Sequence, residues 1–147
     1  SDFNFRPEIF EICKIALDYK FKIIIVTNQA GIGRKIYSEE DFQILNDFMI
    51  SEFKKKFITI DGVYFCPFHP TAGIGKYLRD SYDRKPNPGL IFRATEDLKI
   101  NLTKSIMIGD KKSDNDAAQR AKIKYYIDAK SSDWKYKAII ALKELSE

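Results

Sequence analysis

Three short segments of this sequence carry residue types that suit phosphate chemistry, and each follows or flanks an apolar run. They are VTNQAG at residues 26–31, DRKPNPG at residues 83–89 and MIGDKKSD at residues 107–114. In that order they offer hydroxyl and amide donors, a cation, and carboxylates able to hold a metal ion. These are the parts that phosphoryl transfer needs, so the sequence first predicts a protein that handles phosphate groups.

The pattern around these segments predicts alternating strands and helices. Runs of β-branched residues favour strands, and prolines or capping residues mark where helices begin. We therefore expect an α/β fold with a mostly parallel sheet flanked by helices, in a single domain spanning residues 1–147. The predicted strands lie within residues 21–27, 61–67, 105–109 and 124–127, and the predicted helices begin near residues 7, 38, 88, 113 and 134.

The first segment lies where a ligand site is expected. Parallel sheets bind ligands beyond the carboxyl ends of their strands, and Thr27 and Asn28 follow one strand directly. With backbone amides as far as Gly31, they offer hydrogen-bond donors to phosphate oxygens. Alone, these residues would be interpreted as an ordinary turn between a strand and a helix, so the prediction depends on the other two segments.

The second and third segments supply charge. Lys85 offers a point charge for a phosphoryl group and Arg84 can bind a second phosphate, although a solvated basic pair is the alternative. Asp110 ends a strand and Asp114 lies one helical turn further on, so both carboxylates can approach one Mg²⁺. The alternative for Asp114 is the N-cap of the next helix, a role that Ser113 could also fill.

Composition narrows the class of protein. The chain has 147 residues, a net charge of +4 and a pI near 8.9. Its basic residues are spread along the chain, which does not favour a nucleic-acid groove. Two cysteines and short apolar runs indicate neither a disulfide scaffold nor a membrane span. We expect a monomeric cytoplasmic protein whose partner is a small phosphorylated molecule, and neither nucleic acid nor a membrane.

Together the segments resemble the haloacid dehalogenase superfamily of phosphatases. The chain is most similar to the branch of the D-glycero-D-manno-heptose 1,7-bisphosphate phosphatases and histidinol-phosphatases. The resemblance rests on TNQAGIGR at residues 27–34, CPFHP at residues 66–70 and RKPNPG at residues 84–89, and it runs from about residue 3 to residue 127. The GIGR continuation and YSEEDF at residues 37–42 favour the heptose enzymes.

This resemblance implies a Mg²⁺-dependent phosphomonoesterase that works through an aspartyl-phosphate. A second aspartate, two residues after the nucleophile, would protonate the leaving group. The implied substrate is a small sugar phosphate, first of all D-glycero-D-manno-heptose 1,7-bisphosphate. By match to the motifs, the catalytic residues would be Thr27, Asn28 and Lys85, the substrate-binding residues Gln29, Arg34 and Arg84, and the metal ligands Asp110 and Asp114.

One motif of the family, Asp-x-Asp-Gly, does not occur before Thr27 in this sequence. In the superfamily fold, the strand that carries it lies between the strand ending at Thr27 and the strand ending at Gly109. We therefore expect the domain to be N-terminally incomplete, with the nucleophile on a segment preceding Ser1 in the intact protein. The two flanking strands should then not pair with each other, and the chain alone should not form the complete sheet.

A second departure concerns zinc. Relatives hold a structural Zn²⁺ with Cys-x-His and Cys-x-Cys pairs, and here Phe68, Ser81 and Asp83 replace three of the four ligands. We expect no zinc, because tetrahedral structural sites prefer a full set of thiolates and imidazoles. Cys66, His69 and Asp83 could form a poorer site, but packing residues of a loop are the preferred interpretation.

Two other functions remain open from the sequence. A catalytically inactive module would bind a phosphorylated ligand without the nucleophile. A phosphatase for histidinol phosphate or for polynucleotide ends would use the same residues on another substrate, and the latter would need a basic groove that the sequence does not indicate.

Overall fold

The structure, a computed structural model, describes residues 7–147, and helices alternate with strands along them. Residues 3–6, where the resemblance begins, lie outside this range. The helices are α1 (Pro7–Asp18), α2 (Ala30–Gly33), α3 (Glu39–Lys55), α4 (Gly89–Leu98), α5 (Lys112–Ala121) and α6 (Trp134–Leu145). The strands are β1 (Ile24–Asn28), β2 (Gly62–Cys66), β3 (Ile106–Gly109) and β4 (Tyr125–Asp128). Short 3₁₀ turns lie at Gly75–Tyr77 and Leu102–Lys104.

The strands form two parallel pairs instead of one continuous sheet. β1 pairs with β2, with Thr27 opposite Phe65, and β3 pairs with β4, with Gly109 opposite Asp128. Among residues 7–147, β1 and β3 share no hydrogen-bonded ladder, so the sheet is divided into two halves. The parallel α/β architecture is confirmed, and the strands ending at Thr27 and Gly109 do not pair with each other, as expected.

Apolar side chains on alternate strand residues bind helices to both faces of the half-sheets. Ile106 and Ile108 of β3 pack with α1 and α6, whereas Met107 packs with α4 and α5. β1 follows the same alternation, with Ile25 beside α1 and α3 and Val26 on the opposite face. Burying one such side chain contributes about 1.5–3 kcal/mol, so helices on both faces stabilise each half-sheet.

The start of α3 agrees with the sequence, but its buried face differs from the predicted one. Ser38 accepts a hydrogen bond from the Asp41 amide at 3.0 Å, and its own amide donates to Asp41 Oδ2 at 3.1 Å, which is the expected capping box. Helical spacing in the sequence predicts that the inward face carries Phe42, Leu45, Phe48, Met49 and Phe53. In the structure Phe48 is 52% exposed, whereas Asn46 is buried. The buried stripe follows the helical period through Phe42, Asn46, Met49 and Phe53, and Phe48 falls beside it.

The start of α5 differs from both predicted caps. The helix begins at Lys112, so neither Ser113 nor Asp114 is the N-cap residue. Asp114 lies in the first turn and accepts a hydrogen bond from the Lys111 amide at 3.2 Å. A carboxylate in the first turn satisfies amides that no helical carbonyl reaches, and this gives Asp114 a capping effect from inside the helix.

Among residues 7–147, none of the helices has both the length and the apolar character needed to cross a membrane.

Candidate functional site

Lys85 connects the three sequence segments. Its ammonium lies 2.5 Å from Oδ1 of Asp114 and donates to the carbonyl of Val26 at 3.3 Å. Val26 belongs to β1 and Asp114 to α5, directly after β3, so Lys85 lies where the two half-sheets face each other. The structure therefore brings the segments together at the carboxyl ends of the strands, where parallel sheets bind ligands.

Asn28 fixes the backbone of Lys85. Its Oδ1 accepts from the Lys85 amide at 3.0 Å, and its Nδ2 donates to the Lys85 carbonyl at 3.3 Å. The sequence assigned Asn28 to the phosphoryl group, whereas the structure engages both polar atoms of its amide with one neighbouring residue. Aspartate could not make both bonds, because an ionised carboxylate has no donor. Residues 57 positions apart meet here, so the short motif around Asn28 could not indicate this contact.

Asp114 is a buried carboxylate whose two oxygens both have protein donors. Oδ1 binds Lys85, and Oδ2 accepts from the amides of Asp110 at 3.3 Å and Lys111 at 3.2 Å. The sequence offered Asp114 as a metal ligand, but in this structure it orients Lys85 and the turn after β3. Gly109 is needed for this approach, because a Cβ there would lie 2.6 Å from Oδ2 of Asp114.

With respect to residues 7–147, the ammonium of Lys85 retains one donor for a ligand. Lysine has three N–H bonds, and those to Asp114 and Val26 use two of them. The side chain is 11% exposed, so the remaining donor is accessible from a limited direction. This geometry is compatible with the predicted contact between Lys85 and a phosphoryl oxygen.

Asp110 presents an exposed carboxylate beside this pair. It follows β3 directly, next to Asp128 at the end of β4, and both residues line a polar cavity of about 240 Å³. Within the described range, its carboxylate accepts no hydrogen bond and forms no ion pair. Mg²⁺ is commonly held by one or two carboxylates together with phosphate oxygens, so Asp110 fits the predicted role. No three His, Cys, Asp or Glu side chains of residues 7–147 gather into a metal cage.

Tyr126, which the sequence did not single out, lines the same cavity, and its pKa depends on the charges nearby. Burial, and to a smaller extent the negative charges of Asp114, Asp128 and Asp110, raise the pKa of Tyr126 to about 12. Carboxylates oppose the ionisation of a phenol, and the three that act on Tyr126 give this edge of the molecule a negative potential. Such a potential attracts a divalent cation.

Thr27 and Gln29 hydrogen-bond to each other. Nε2 of Gln29 donates to Oγ1 of Thr27 at 3.1 Å, and the Tyr37 hydroxyl donates to Oε1 of Gln29. The Thr27 hydroxyl donates to the Asn28 carbonyl at 3.3 Å. Gly31 allows this arrangement, because a Cβ there would overlap the Tyr37 ring. Gln29, predicted to contact substrate, therefore orients Thr27 in this structure.

The two predicted arginines lie in different settings. Arg84 is partly buried, and its guanidinium donates to the Phe68 carbonyl at 3.4 Å, whereas Arg34 is exposed just after α2. Arg79 stacks over the Phe68 ring with its guanidinium carbon 4.4 Å from the ring centroid. The motifs did not indicate Arg79, because a cation–π contact depends on how the loop folds. Arg84 and Arg79 thus both place positive charge against Phe68, Arg84 at its carbonyl and Arg79 over its ring.

The loop that contains the candidate zinc ligands is held together by hydrogen bonds and an ion pair. Nδ1 of His69 accepts from the amides of Thr71 at 3.1 Å and Ala72 at 2.8 Å. Asp83 binds Arg93 with both oxygens, at 3.0 Å from Nε and 2.7 Å from Nη2. Two of the three candidate zinc ligands are therefore engaged with protein groups, and the absence of zinc stays a prediction.

Comparisons with known proteins identify the family. The sequence profile of the haloacid dehalogenase-like hydrolases matches residues 77–127. A D-glycero-alpha-D-manno-heptose-1,7-bisphosphate 7-phosphatase from Burkholderia mallei is 49% identical over 119 residues, which are 81% of this chain and 63% of the relative. A protein of the same name from Photorhabdus laumondii is 38% identical over 123 residues, covering 84% of this chain and 67% of the relative. The chain belongs to the haloacid dehalogenase-like hydrolases.

Solved structures agree with this fold. A haloacid dehalogenase-like phosphatase from Mesorhizobium loti matches with a TM-score of 0.88 and 25% identity, over 98% of this chain and 76% of that one. A D,D-heptose 1,7-bisphosphate phosphatase from B. bronchiseptica, complexed with magnesium and phosphate, matches with a TM-score of 0.74 and 18% identity, over 95% and 84%. The chain of 147 residues spans about two thirds of the length of the curated relatives that it matches.

Proposed function

We propose that the complete protein is a Mg²⁺-dependent phosphomonoesterase acting on D-glycero-D-manno-heptose 1,7-bisphosphate. The observation that carries the proposal is the convergence of the three motif segments on Lys85, which binds Val26 of β1 and Asp114 of α5. The names of the relatives from Burkholderia mallei and Photorhabdus laumondii support the substrate and favour removal of the phosphate at position 7.

Lys85 stabilises the transferring phosphoryl group in this proposal. Its remaining N–H donates to a phosphoryl oxygen, and the ammonium offsets the negative charge that stays on these oxygens in the transition state. Asp114 and Asn28 are positioning residues, since they orient the ammonium and the backbone of Lys85. Thr27, oriented by Gln29, would turn its hydroxyl from the Asn28 carbonyl to the same group.

Asp110 would hold the Mg²⁺ together with oxygens of the phosphate group. When bound, the ion would neutralise charge on the transferring phosphoryl group. The exposed carboxylate of Asp110 and the negative potential around Tyr126 support this assignment.

The proposal requires an aspartate nucleophile that is not among the 147 residues. Its carboxylate oxygen would attack phosphorus while the bond from phosphorus to the sugar oxygen breaks, giving an aspartyl-phosphate. A second aspartate, two residues later, would give its proton to the leaving oxygen and would then take a proton from the water that releases phosphate. Arg84, together with the exposed Arg34, would bind the phosphate that remains on the sugar.

The test is phosphate release by the complete protein from both anomers of the heptose 1,7-bisphosphate, with histidinol phosphate as the competing substrate. We expect Mg²⁺-dependent hydrolysis of the bisphosphate, with at least one of its anomers hydrolysed faster than histidinol phosphate. Lys85→Met should lower kcat by about two to three orders of magnitude, as the loss of one transition-state donor does. Lys55→Met, on an exposed Lys55–Glu52 pair of α3, is the control and should leave kcat unchanged. Equal rates for the two variants would overturn the proposal, as would hydrolysis without divalent cations.

The proposal retains the expectation of a cytoplasmic monomer. Cell fractionation tests the location, and sedimentation tests the oligomeric state.

A further inference from the structure

Residues 81–88 form a loop, the cation loop, that carries the two cations of the second motif segment. The loop is closed by bonds between its own backbone groups. The Ser81 carbonyl accepts a hydrogen bond from the Arg84 amide at 3.1 Å, and the amide of Gly89, the first residue of α4, donates to the Tyr82 carbonyl at 3.0 Å. The cation loop therefore begins and ends against the start of α4.

Side chains of α4 hold the first part of the cation loop. Asp83 binds Arg93 with both oxygens, Oδ1 at 3.0 Å from Nε and Oδ2 at 2.7 Å from Nη2. Such a bidentate pair fixes direction as well as distance, because the guanidinium is planar. The residues just before them are also in contact, since the Tyr82 and Phe92 rings are stacked with centroids 6.5 Å apart. Two consecutive loop residues thus bind two consecutive residues of α4.

The Asp83 carboxylate is enclosed on its loop side. A Cβ at Gly89 would lie 2.4 Å from the Tyr82 carbonyl oxygen and 2.5 Å from Oδ1 of Asp83, so the loop and α4 meet too closely for a side chain there. The Asp83 side chain is 16% exposed, whereas that of Arg93 is 65% exposed. Arg93 therefore reaches an enclosed carboxylate from the solvent side.

A second side chain fastens the other end of the cation loop. Oδ1 of Asn87 accepts a hydrogen bond from Arg120 of α5 at 3.0 Å, and its Nδ2 donates to the Ser81 carbonyl at 3.1 Å. The same helix carries Asp114, which binds the Lys85 ammonium. The loop is therefore held by α4 near its start and by α5 near its end.

Lys85 lies midway between these two fastenings, two residues after Asp83 and two residues before Asn87. Its backbone is also bonded to Asn28, so β1, α4 and α5 together hold the stretch of chain from which the ammonium extends. A displacement of about 1 Å at a reacting group can cost about a hundredfold in rate, even when the changed residue lies far from the chemistry. A contact that fixes the loop can therefore affect the reaction without touching the substrate.

We propose that Asp83 and Arg93 are positioning residues: their ion pair holds the cation loop against α4 and so places Arg84 and Lys85 toward the phosphate groups of the substrate. The role in turnover rests on the proposed function, whereas the hold on the loop rests on the contacts of Asp83 alone. Ion pairs with an exposed partner contribute little to the free energy of unfolding, and Arg93 is such a partner. Removing Arg93 should therefore affect the loop and turnover, and hardly affect global stability.

The test compares Arg93→Ala and Asp83→Asn with the complete wild-type protein, and Lys135→Ala is the matched control. Lys135 of α6 is another cation that pairs across two elements, with Glu11 of α1. We expect the first two variants to lower kcat for the heptose bisphosphate by about tenfold to a hundredfold. Amide hydrogen exchange in residues 81–88 should become about tenfold faster, because the loop opens more often, while the urea midpoint stays close to that of wild type. The control should change none of the three.

Chemical rescue separates positioning from a general loosening of the protein. Because Arg93 is exposed, a free guanidinium ion can reach the space that its side chain leaves in Arg93→Ala. Guanidinium chloride, far below the concentrations that unfold the protein, should restore most of the lost kcat of this variant, and sodium chloride at the same concentration should not. Asp83→Asn should not respond, because it lacks the carboxylate that binds the ion. Arg93→Lys should have an intermediate kcat, since an ammonium keeps the charge but not the bidentate geometry.

Each result supports or overturns the inference. A kcat of Arg93→Ala equal to that of Lys135→Ala overturns the positioning role, as does a loss that guanidinium does not reverse. Unchanged exchange in residues 81–88 overturns the hold on the loop. Faster exchange in Arg93→Ala, in a protein whose wild type releases no phosphate from the bisphosphate, supports the hold on the loop and counts against the proposed function. Phosphate release by wild type and by Arg93→Ala at equal rates counts against the positioning role only.

Discussion

Replacing Asp114 with Asn should destabilise the protein strongly, because it removes one charge from a buried ion pair. The Lys85 and Asp114 side chains are 11% and 8% exposed, and their charged atoms lie 2.5 Å apart. Removing one partner of such a pair costs about 3–5 kcal/mol, since the remaining charge stays buried without compensation. Asn keeps an oxygen for the Asp110 and Lys111 amides, so we expect a loss near the lower end, about 3 kcal/mol.

The same helix provides a matched control. Lys112 and Asp116 also form a Lys–Asp pair, at 2.8 Å, but their side chains are 88% and 34% exposed. Exposed pairs contribute about 0.2–1 kcal/mol, so Asp116→Asn should cost several times less than Asp114→Asn. The two variants change the same chemistry at two levels of burial, and the difference between them isolates the effect of desolvation.

Urea unfolding measures both variants, with fluorescence of Trp134 as the probe. Trp134 is the single tryptophan of the sequence and is 8% exposed, so its emission should change on unfolding. Combining Asp114→Asn with Lys85→Met should cost less than the sum of the two single changes, by about 0.5–3 kcal/mol, because the double variant leaves no buried charge. Equal costs for Asp114→Asn and Asp116→Asn, or an additive double variant, would falsify the role of Asp114 as the partner of Lys85.

Three further predictions concern the same edge of the molecule and its neighbouring loop. Asp110→Asn in the complete protein should abolish nearly all turnover, because it removes the charge proposed to hold Mg²⁺. The melting temperature should change little, because the carboxylate is exposed and has no protein partner in the described residues. Wild-type turnover would refute the metal assignment. Elemental analysis should find no zinc, and EDTA should not alter the urea midpoint, because His69 and Asp83 already bind protein groups; one zinc per chain would contradict this. The pKa of Tyr126 in the folded protein is about 12, above the value near 10 in the unfolded chain. The stability that its neutral phenol contributes is therefore complete below about pH 10 and is lost as the pH rises to about 12. Tyr126→Phe should reduce this alkaline loss in urea unfolding curves, and identical curves for variant and wild type would show that the phenol ionises normally.

Local patterns in the sequence predicted the elements well where one physical rule decided them. α6 begins at Trp134, as expected, and α3 begins after the Ser38 cap, because caps and helical periodicity are properties of neighbouring residues. The prediction that Phe48 points inward was wrong, because apolar character alone does not determine which of two adjacent stripes of a helix packs against the core. Asn46, although polar, lies on the stripe that does.

The site shows where sequence reasoning reaches its limit. The three segments were expected to meet, since loops after parallel strands share one edge of the sheet. What each side chain does there depends on contacts between distant residues. Asn28 binds Lys85 across 57 residues, and Asp114 binds it across 29. Residues assigned to the ligand thus support a single ammonium in this structure.

That arrangement has a consequence for how the site could act. Asp114 supplies a negative charge 2.5 Å from the Lys85 ammonium, while Asn28 hydrogen-bonds to both the amide and the carbonyl of Lys85. The cation is therefore fixed in place before a phosphate group arrives, and little reorganisation is needed during the reaction. If this reasoning is correct, Asn28→Ala in the complete protein should lower kcat more than it raises KM, because it disturbs the position of Lys85 and not a contact with the substrate. Asn28→Ala that raises KM alone would instead return Asn28 to the substrate, as its sequence motif first indicated.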